Sequence, residues 1–175
     1  LSVFPPEPDP EPGKVFGGWH QDGGRPVQEM ERPHPRLSFK MSYWLSDTRG
    51  DDRGAMMIVP GAHRLDELPS AGADGHPQGA IELRIGPGTA VLFDRRTWHS
   101  RSHNTSGVTR KALFFGYSYR WLRGLDYNTM PEELLEGCDP IRRQLLGDGV
   151  GMTGWWQPRD DDVPLKIWLE ERGLA

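Results

Sequence analysis

The 175-residue chain is predicted to be mainly β, built from short strands joined by turns. Glycine and proline are abundant, with 22 and 16 copies, which indicates many turns. Several short segments also alternate apolar and polar residues, the pattern of a half-buried strand. A chain of this length can bury a substantial core, and we assign residues 1–175 to one domain.

The first predicted strands follow a proline-rich start. Residues 1–13 are expected to be extended. Residues 37–45 alternate, and the apolar odd positions, Tyr43 among them, are predicted to face inward. Residues 54–60 are a predicted buried strand that ends in a Pro-Gly turn. Residues 81–85 alternate again.

A hairpin is predicted in the second half of the chain. Residues 86–94 indicate a tight turn that enters a buried strand, and residues 109–120 form a long aromatic and apolar strand. A polar turn at 104–107 lies between the two regions. A hairpin of this kind would bring Arg110 back beside the strand that carries His99.

Short helices are predicted in the last third. Residues 130–135 and 139–146 each place proline and an acidic residue at the helix start, where these residues are favoured. Residues 163–171 are a predicted final helix. We expect this C-terminal helical extension, residues 121–175, to lie at the periphery of a β core formed by residues 14–120.

Three residues suggest a metal centre: His20, Asp22 and His99. Residues i and i+2 of a strand point to the same face, so His20 and Asp22 can bind one ion from one strand. Two imidazoles and one carboxylate on a face of an octahedron leave three positions open, an arrangement typical of oxygen-activating Fe(II). Arg110, eleven residues after His99, can bind a carboxylate through two parallel hydrogen bonds.

Together with these residues, the segments 59–64 and 88–94, Trp98 and Asn104 resemble the phytanoyl-CoA dioxygenase family of Fe(II)/2-oxoglutarate-dependent oxygenases. The resemblance runs from about residue 14 to about residue 120. It implies a double-stranded β-helix of the jelly-roll or cupin-like type. It also implies hydroxylation of an unactivated C–H bond of a small organic substrate, while 2-oxoglutarate and O2 become succinate and CO2.

The resemblance implies roles for single residues. It makes His20, Asp22 and His99 the ligands of Fe(II). Arg110 would pair with the distal carboxylate of 2-oxoglutarate, and Tyr43 would lie beside that cosubstrate. Asp22 favours hydroxylation, because related halogenases replace this carboxylate with a small residue.

Trp19, Arg25 and Trp98 flank the predicted ligands and are candidate substrate-binding residues. Tryptophans beside a metal strand are as often part of the core, so both interpretations stay open.

Two features depart from the family. Many members carry a small hydroxyl residue two positions after the distal histidine, where this chain has Arg101. Ser100 or Ser102 is a possible substitute. Only nineteen residues precede His20, where members usually have a helical region and early strands.

Composition limits the expected partners. The formal net charge is −4, so no basic field favours nucleic acid. No apolar run approaches the roughly 20 residues that span a bilayer. A single cysteine, Cys138, excludes internal disulfides, and the start has no secretory signal, so a cytoplasmic location is expected. The expected partner is a small-molecule substrate, and both a monomer and a homo-oligomer stay open.

Two other functions also stay open. One is a non-redox cupin-type metalloenzyme, such as a zinc or nickel hydrolase or isomerase. Arg110 argues against it, because such an enzyme needs no partner for a dicarboxylate. The other is a catalytically silent small-molecule-binding module, and the complete set of metal ligands argues against that.

Overall fold

Seven short strands and three short helices are found in the described part of the chain. The computed structural model describes residues 1–11, 18–23, 29–119, 121–122, 127, 130–148 and 163–174. The chain divides into two compact units, Leu1–Tyr117 and Ser118–Ala175.

The strands are short, as the many turn residues predict. They are β1 (Ser2–Phe4), β2 (Ser38–Trp44), β3 (Met56–Ile58), β4 (Ile81–Leu83), β5 (Ala90–Asp94), β6 (His99–Arg101) and β7 (Arg110–Ser118). A short 3-10 helix at Ala62–Arg64 follows the Pro-Gly turn. The proline-rich start, predicted to be extended, thus contributes β1.

The strands form two sheets. The four-stranded sheet has the order β1-β7-β2-β5, and the three-stranded sheet has the order β4-β3-β6. The pairs β1–β7, β2–β5, β3–β4 and β3–β6 are all antiparallel. The prediction of a mainly β chain with a double-stranded β-helix core and a few helices near its C-terminus is confirmed.

The hydrophobic core draws on both sheets. Its buried cluster consists of Trp44, Met56, Phe93 and Ala112, which come from β2, β3, β5 and β7. Five half-buried apolar side chains pack against this cluster: Ile58, Leu83, Ile85, Val91 and Phe114. Burying apolar surface is the main driving force that holds two such sheets face to face.

The structure corrects the predicted orientation of β2. Its even positions face the core: Ser42 and Trp44 are fully buried, whereas Phe39 and Tyr43 are exposed. The exposed aromatic rings pair across the outer face of the sheet, Phe39 with Tyr117 and Tyr43 with Phe115. The aromatic residues at odd positions therefore stabilise the pairing of β2 with β7, because aromatic cross-strand pairs stabilise a sheet even outside the core.

The predicted hairpin is also wrong, because β6 and β7 belong to different sheets. Asn104 lies fully buried where the chain passes from one sheet to the other. Its side-chain amide donates hydrogen bonds of 3.0 Å to the carbonyls of Phe4 and Val108. This corner, rather than a tight turn, sets where Arg110 begins its strand.

The second unit contains the helices α1 (Glu132–Glu136), α2 (Pro140–Leu145) and α3 (Pro164–Glu170). The Asp139 side chain caps α2 by accepting a 2.8 Å hydrogen bond from the backbone N–H of Arg142. No helix in the described ranges has the length and apolarity to cross a membrane. The assignment of residues 1–175 to one domain stays a prediction.

Candidate metal centre

The two predicted histidine ligands are joined by backbone hydrogen bonds. His20 and His99 form an isolated antiparallel bridge, and each backbone N–H donates to the carbonyl of the other residue at 3.0 Å. Their imidazole centroids lie 4.3 Å apart. His99 is buried in β6, with the Phe93 ring against its edge.

Asp22 was expected to lie in the same strand as His20. The structure instead places it in a turn just after this bridge. Its backbone N–H donates to the carbonyl of Arg95 at 2.9 Å. The buried Arg95 guanidinium in turn donates to the Asp22 carbonyl at 2.6 Å. The neighbouring Gln21 side chain donates to the carbonyl of Arg96 at 2.7 Å. These bonds hold the turn against the end of β5.

The three predicted ligands lie close together in the structure. One ligand atom each from His20, Asp22 and His99 lies within 4.8 Å of the others. The Nε2 atoms of the histidines are 3.8 Å and 3.6 Å from the two Asp22 carboxylate oxygens, Oδ1 and Oδ2. Oδ2 is buried, and it has no hydrogen-bond partner in the described part of the chain.

The histidine rings are oriented so that Nε2 is available to a metal. His20 Nδ1 lies 2.7 Å from the Gly18 carbonyl, and His99 Nδ1 lies 2.8 Å from the Thr97 carbonyl. A carbonyl only accepts, so each Nδ1 carries a proton and each Nε2 keeps its lone pair. Burial lowers the pKa of His99, which keeps its imidazole neutral as a metal ligand requires. The residues therefore fit a divalent metal ion.

Arg110 is the first residue of β7, and only 4% of its surface is exposed. Its guanidinium carbon lies 4.4 Å from the Phe4 ring centroid and 4.8 Å from that of Trp44. Burial, with a smaller contribution from Arg101, lowers the pKa of Arg110 to about 10, so the group stays charged near pH 7.

No carboxylate of the described residues forms an ion pair with Arg110, and its Nε–H has no acceptor among them. One Nη donates to the Ser2 hydroxyl at 3.2 Å. A buried cation without a counter-charge is costly, so the surroundings of Arg110 favour an anion.

Strand β1 packs beside Arg110, which contacts its residues Ser2 and Phe4. Glu7, just beyond the strand, accepts two hydrogen bonds from Arg101, of 2.5 and 2.7 Å. Arg101 thus holds the N-terminal segment through Glu7. The Ser2 hydroxyl contacts Arg110. The substitution by Ser100 or Ser102 stays a prediction.

The structure corrects the position expected for Tyr43. Successive residues of a strand point to opposite faces, and Trp44 is the one that contacts Arg110. Tyr43 is 41% exposed on the outer face of the sheet. Trp44, and not Tyr43, is therefore the aromatic residue of β2 that contacts Arg110.

Of the candidate substrate residues, Trp19 and Trp98 are half-buried, and their indole N–H groups have no acceptor among the described residues. Arg25 lies outside the described residues.

Sequence reasoning missed three residues of this region: Lys40, Arg95 and Phe4. The Lys40 ammonium lies 2.8 Å from Asp22 Oδ1. Lys40 and Arg95 contact Asp22, and Phe4 contacts Arg110. Each residue is far in the sequence from the one it contacts, so no local motif predicts the contact. The error in the predicted orientation of β2 also explains why Lys40 was missed, because the even positions of that strand were expected to face solvent.

The fold and the three clustered side chains define the class: a double-stranded β-helix protein with a candidate metal site of two histidines and one carboxylate. The family model of phytanoyl-CoA dioxygenase (PhyH) matches residues 5–112, more than half of the chain. The chain belongs to the phytanoyl-CoA dioxygenase family, which confirms the resemblance found in the sequence.

Individual curated proteins share about a quarter to a third of their residues with this chain over the matched segments. An uncharacterized protein of Mycobacterium tuberculosis is 30% identical over 159 residues, which cover 84% of this chain and 51% of that protein. The dioxygenase aneA of Aspergillus aculeatus is 25% identical over 69% of this chain and 42% of its own length. The chain thus spans about half the length, or less, of these curated relatives.

Solved structures are also similar. EvdO2 of Micromonospora carbonacea var. aurantiaca, complexed with 2-oxoglutarate, is 26% identical and has a TM-score of 0.44; the match covers 65% of this chain and 47% of EvdO2. The apo form of the non-haem monooxygenase ThoJ is 19% identical with a TM-score of 0.48, over 67% of this chain and 43% of ThoJ.

Proposed function

We propose that the protein is an Fe(II)/2-oxoglutarate-dependent dioxygenase that hydroxylates an unactivated C–H bond of a small organic substrate. In the reaction R–H, 2-oxoglutarate and O2 become R–OH, succinate and CO2. The observation that carries the proposal is the buried, charged Arg110, which has no carboxylate partner among the described residues. A non-redox metalloenzyme has no use for such a cation, whereas a dicarboxylate cosubstrate provides its missing counter-charge.

His20, Asp22 and His99 would hold the iron, with Nε2 of each histidine and one oxygen of the aspartate as donors. Fe(II), when bound, supplies the redox chemistry that couples oxidation of 2-oxoglutarate by O2 to hydroxylation of the substrate. Asp22 keeps the anionic ligand that halogenases of this type lack, which supports hydroxylation.

The Arg110 guanidinium would bind the distal carboxylate of 2-oxoglutarate, and the Ser2 hydroxyl is placed to donate a further hydrogen bond to it. The rings of Phe4 and Trp44 shield the pair from water, which strengthens it. The metal centre and Trp44 are linked through one core, because Trp44 and Phe93 share the buried cluster and Phe93 contacts His99.

The substrate would lie against Trp19 and Trp98. Their buried indole N–H groups have no acceptor among the described residues, so a polar substrate group can accept from them. A polar small molecule is therefore the substrate class we favour. The cytoplasm remains the proposed location, on the basis of the single free Cys138.

The decisive experiment is an anaerobic titration of the Fe(II)-loaded protein with 2-oxoglutarate, monitored through the weak visible metal-to-ligand charge-transfer band. We expect a band in the parent protein and in the control R49A, because Arg49 is an exposed arginine paired with Asp47. H99A should lose the band. R110A should need at least about tenfold more 2-oxoglutarate, since it lacks the charged pair.

The variant R110K serves if R110A fails to fold, because lysine keeps the charge but loses the two-pronged geometry. Circular dichroism reports folding in each case. A folded, iron-loaded parent protein without a band would contradict the proposal and favour the non-redox metalloenzyme. A folded protein that binds no iron would instead favour the silent binding module.

A further inference from the structure

Lys40 is the charged side chain that contacts the metal-ligand set from β2. It lies on the same face of the strand as the buried Ser42 and Trp44, and so points to the interior. Its ammonium nitrogen is 2.8 Å from Asp22 Oδ1. About a third of the side chain is exposed, so the ammonium stays partly hydrated.

The two oxygens of the Asp22 carboxylate differ in their surroundings. Oδ1 accepts the charge-assisted contact from Lys40. Oδ2 is buried, lies 3.6 Å from His99 Nε2, and has no hydrogen-bond partner in the described ranges. Each oxygen thus lies near one histidine Nε2, at 3.8 Å for Oδ1 and 3.6 Å for Oδ2, but only Oδ1 is also held by Lys40.

We propose that Lys40 is a positioning residue that restricts Asp22 to binding the metal through Oδ2 alone. The inference rests on the proposed function and deepens it. A carboxylate that bound through both oxygens would take one of the three positions that two histidines and one carboxylate leave open. Since 2-oxoglutarate chelates through two positions, Lys40 keeps the centre open for the cosubstrate and a further ligand.

The proposal has a consequence that an ordinary supporting residue would not produce. An ammonium so close to a divalent ion repels it. Removal of Lys40 should therefore leave metal binding at least as tight as in the parent protein, with both Asp22 oxygens now engaged. Chelation of 2-oxoglutarate should become weaker at the same time.

The test compares K40M and K40R with the parent protein, and K111M is the control because Lys111 is an exposed lysine of β7. Each protein is loaded with Co(II), and its visible ligand-field spectrum is recorded before any cosubstrate is added. Fe(II)-loaded samples are then titrated anaerobically with 2-oxoglutarate. Methionine keeps the length of the lysine stem, so packing is disturbed little.

We expect a changed Co(II) spectrum in K40M alone, with the parent spectrum restored in K40R. The apparent Kd for 2-oxoglutarate should rise at least about tenfold in K40M, within the range seen when partners of metal ligands are removed. An unchanged Co(II) spectrum in K40M would overturn the proposal, even if 2-oxoglutarate bound more weakly, because charge alone would then explain the loss.

The two proposals fail in different ways. If the parent protein forms no charge-transfer band, the proposed function is wrong. If the parent protein forms the band and K40M keeps either the parent Co(II) spectrum or the parent affinity for 2-oxoglutarate, only the role of Lys40 is wrong.

Discussion

The guanidinium carbon of Arg110 lies 4.4 Å from the centroid of the Phe4 ring. Phe4 contacts Arg101 at the same distance, so one phenyl ring serves two cations. The first strand is therefore part of the candidate cosubstrate pocket, although its residues carry no motif. This relationship leads to predictions about the strand as well as about the metal centre.

Replacement of Phe4 by alanine should loosen β1 from β7. We expect a loss of about 1–3 kcal/mol in the free energy of unfolding, from two cation–π contacts and the lost apolar burial. Urea denaturation measures this loss. F4L, which keeps apolar volume but has no aromatic face, should lose less than F4A and still be less stable than the parent protein. An F4L variant as stable as the parent protein would show that the cation–π contacts contribute nothing.

The ion pair of Glu7 and Arg101 should make stability depend on pH. The hydrogen bonds from Arg101 lower the pKa of Glu7 from 4.5 to about 2. A carboxylate with a lowered pKa stabilises the folded state above pH 4.5, and this stabilisation is lost as the pH falls toward 2. E7Q should therefore cost about 1 kcal/mol at pH 7.

Thermal melts of E7Q and the parent protein between pH 7 and pH 2 check this dependence. The difference in melting temperature should shrink through the acid range. E132Q is the control, because the ion pair of Glu132 with Arg143 is exposed. A difference for E7Q that persists unchanged at pH 2 would contradict the assigned ion pair.

Arg95 should support the metal site through the backbone. R95M removes the donor to the Asp22 carbonyl and leaves a half-buried carbonyl without that partner. We expect metal affinity to fall about 10- to 100-fold. Titration with Co(II) measures the change, and R96M is the control, since Arg96 donates to Asp94 and His34 instead.

Replacement of Asp22 by alanine should abolish both tight metal binding and substrate turnover. Only two imidazoles would remain, and the charge that compensates the metal would be lost. Metal titration and succinate release measure the two effects separately. Full turnover in D22A would refute the assignment of Asp22 as a ligand.

Sequence reasoning succeeded where chemistry restricts the residue type. A site with two imidazoles and a carboxylate tolerates few substitutes, so His20, Asp22 and His99 stand out in the sequence, and the structure brings them together. The short strands were predictable for a similar reason, because glycine, proline and alternation mark where strands begin and end.

The errors have one physical source. The pattern of β2 is apolar at odd positions, but Phe39 and Tyr43 pair with aromatic residues of β7 on the outer face. Which face is buried depends on the partner strands, and a single sequence does not name them. For the same reason the sequence did not predict that β6 and β7 belong to different sheets, because turn residues do not indicate which sheet the next strand joins.

The pairing of β1 with β7 also sets an order of events during folding. Ser2 and Arg110 are 108 positions apart in the chain, so their contact closes a very long loop. Loop closure of this length carries a large entropic cost, and contacts of this kind slow folding. We therefore expect β1 to pair with β7 late in folding, after β7 has joined β2. The backbone amide hydrogens of β1 should exchange with solvent sooner than those of the central strands.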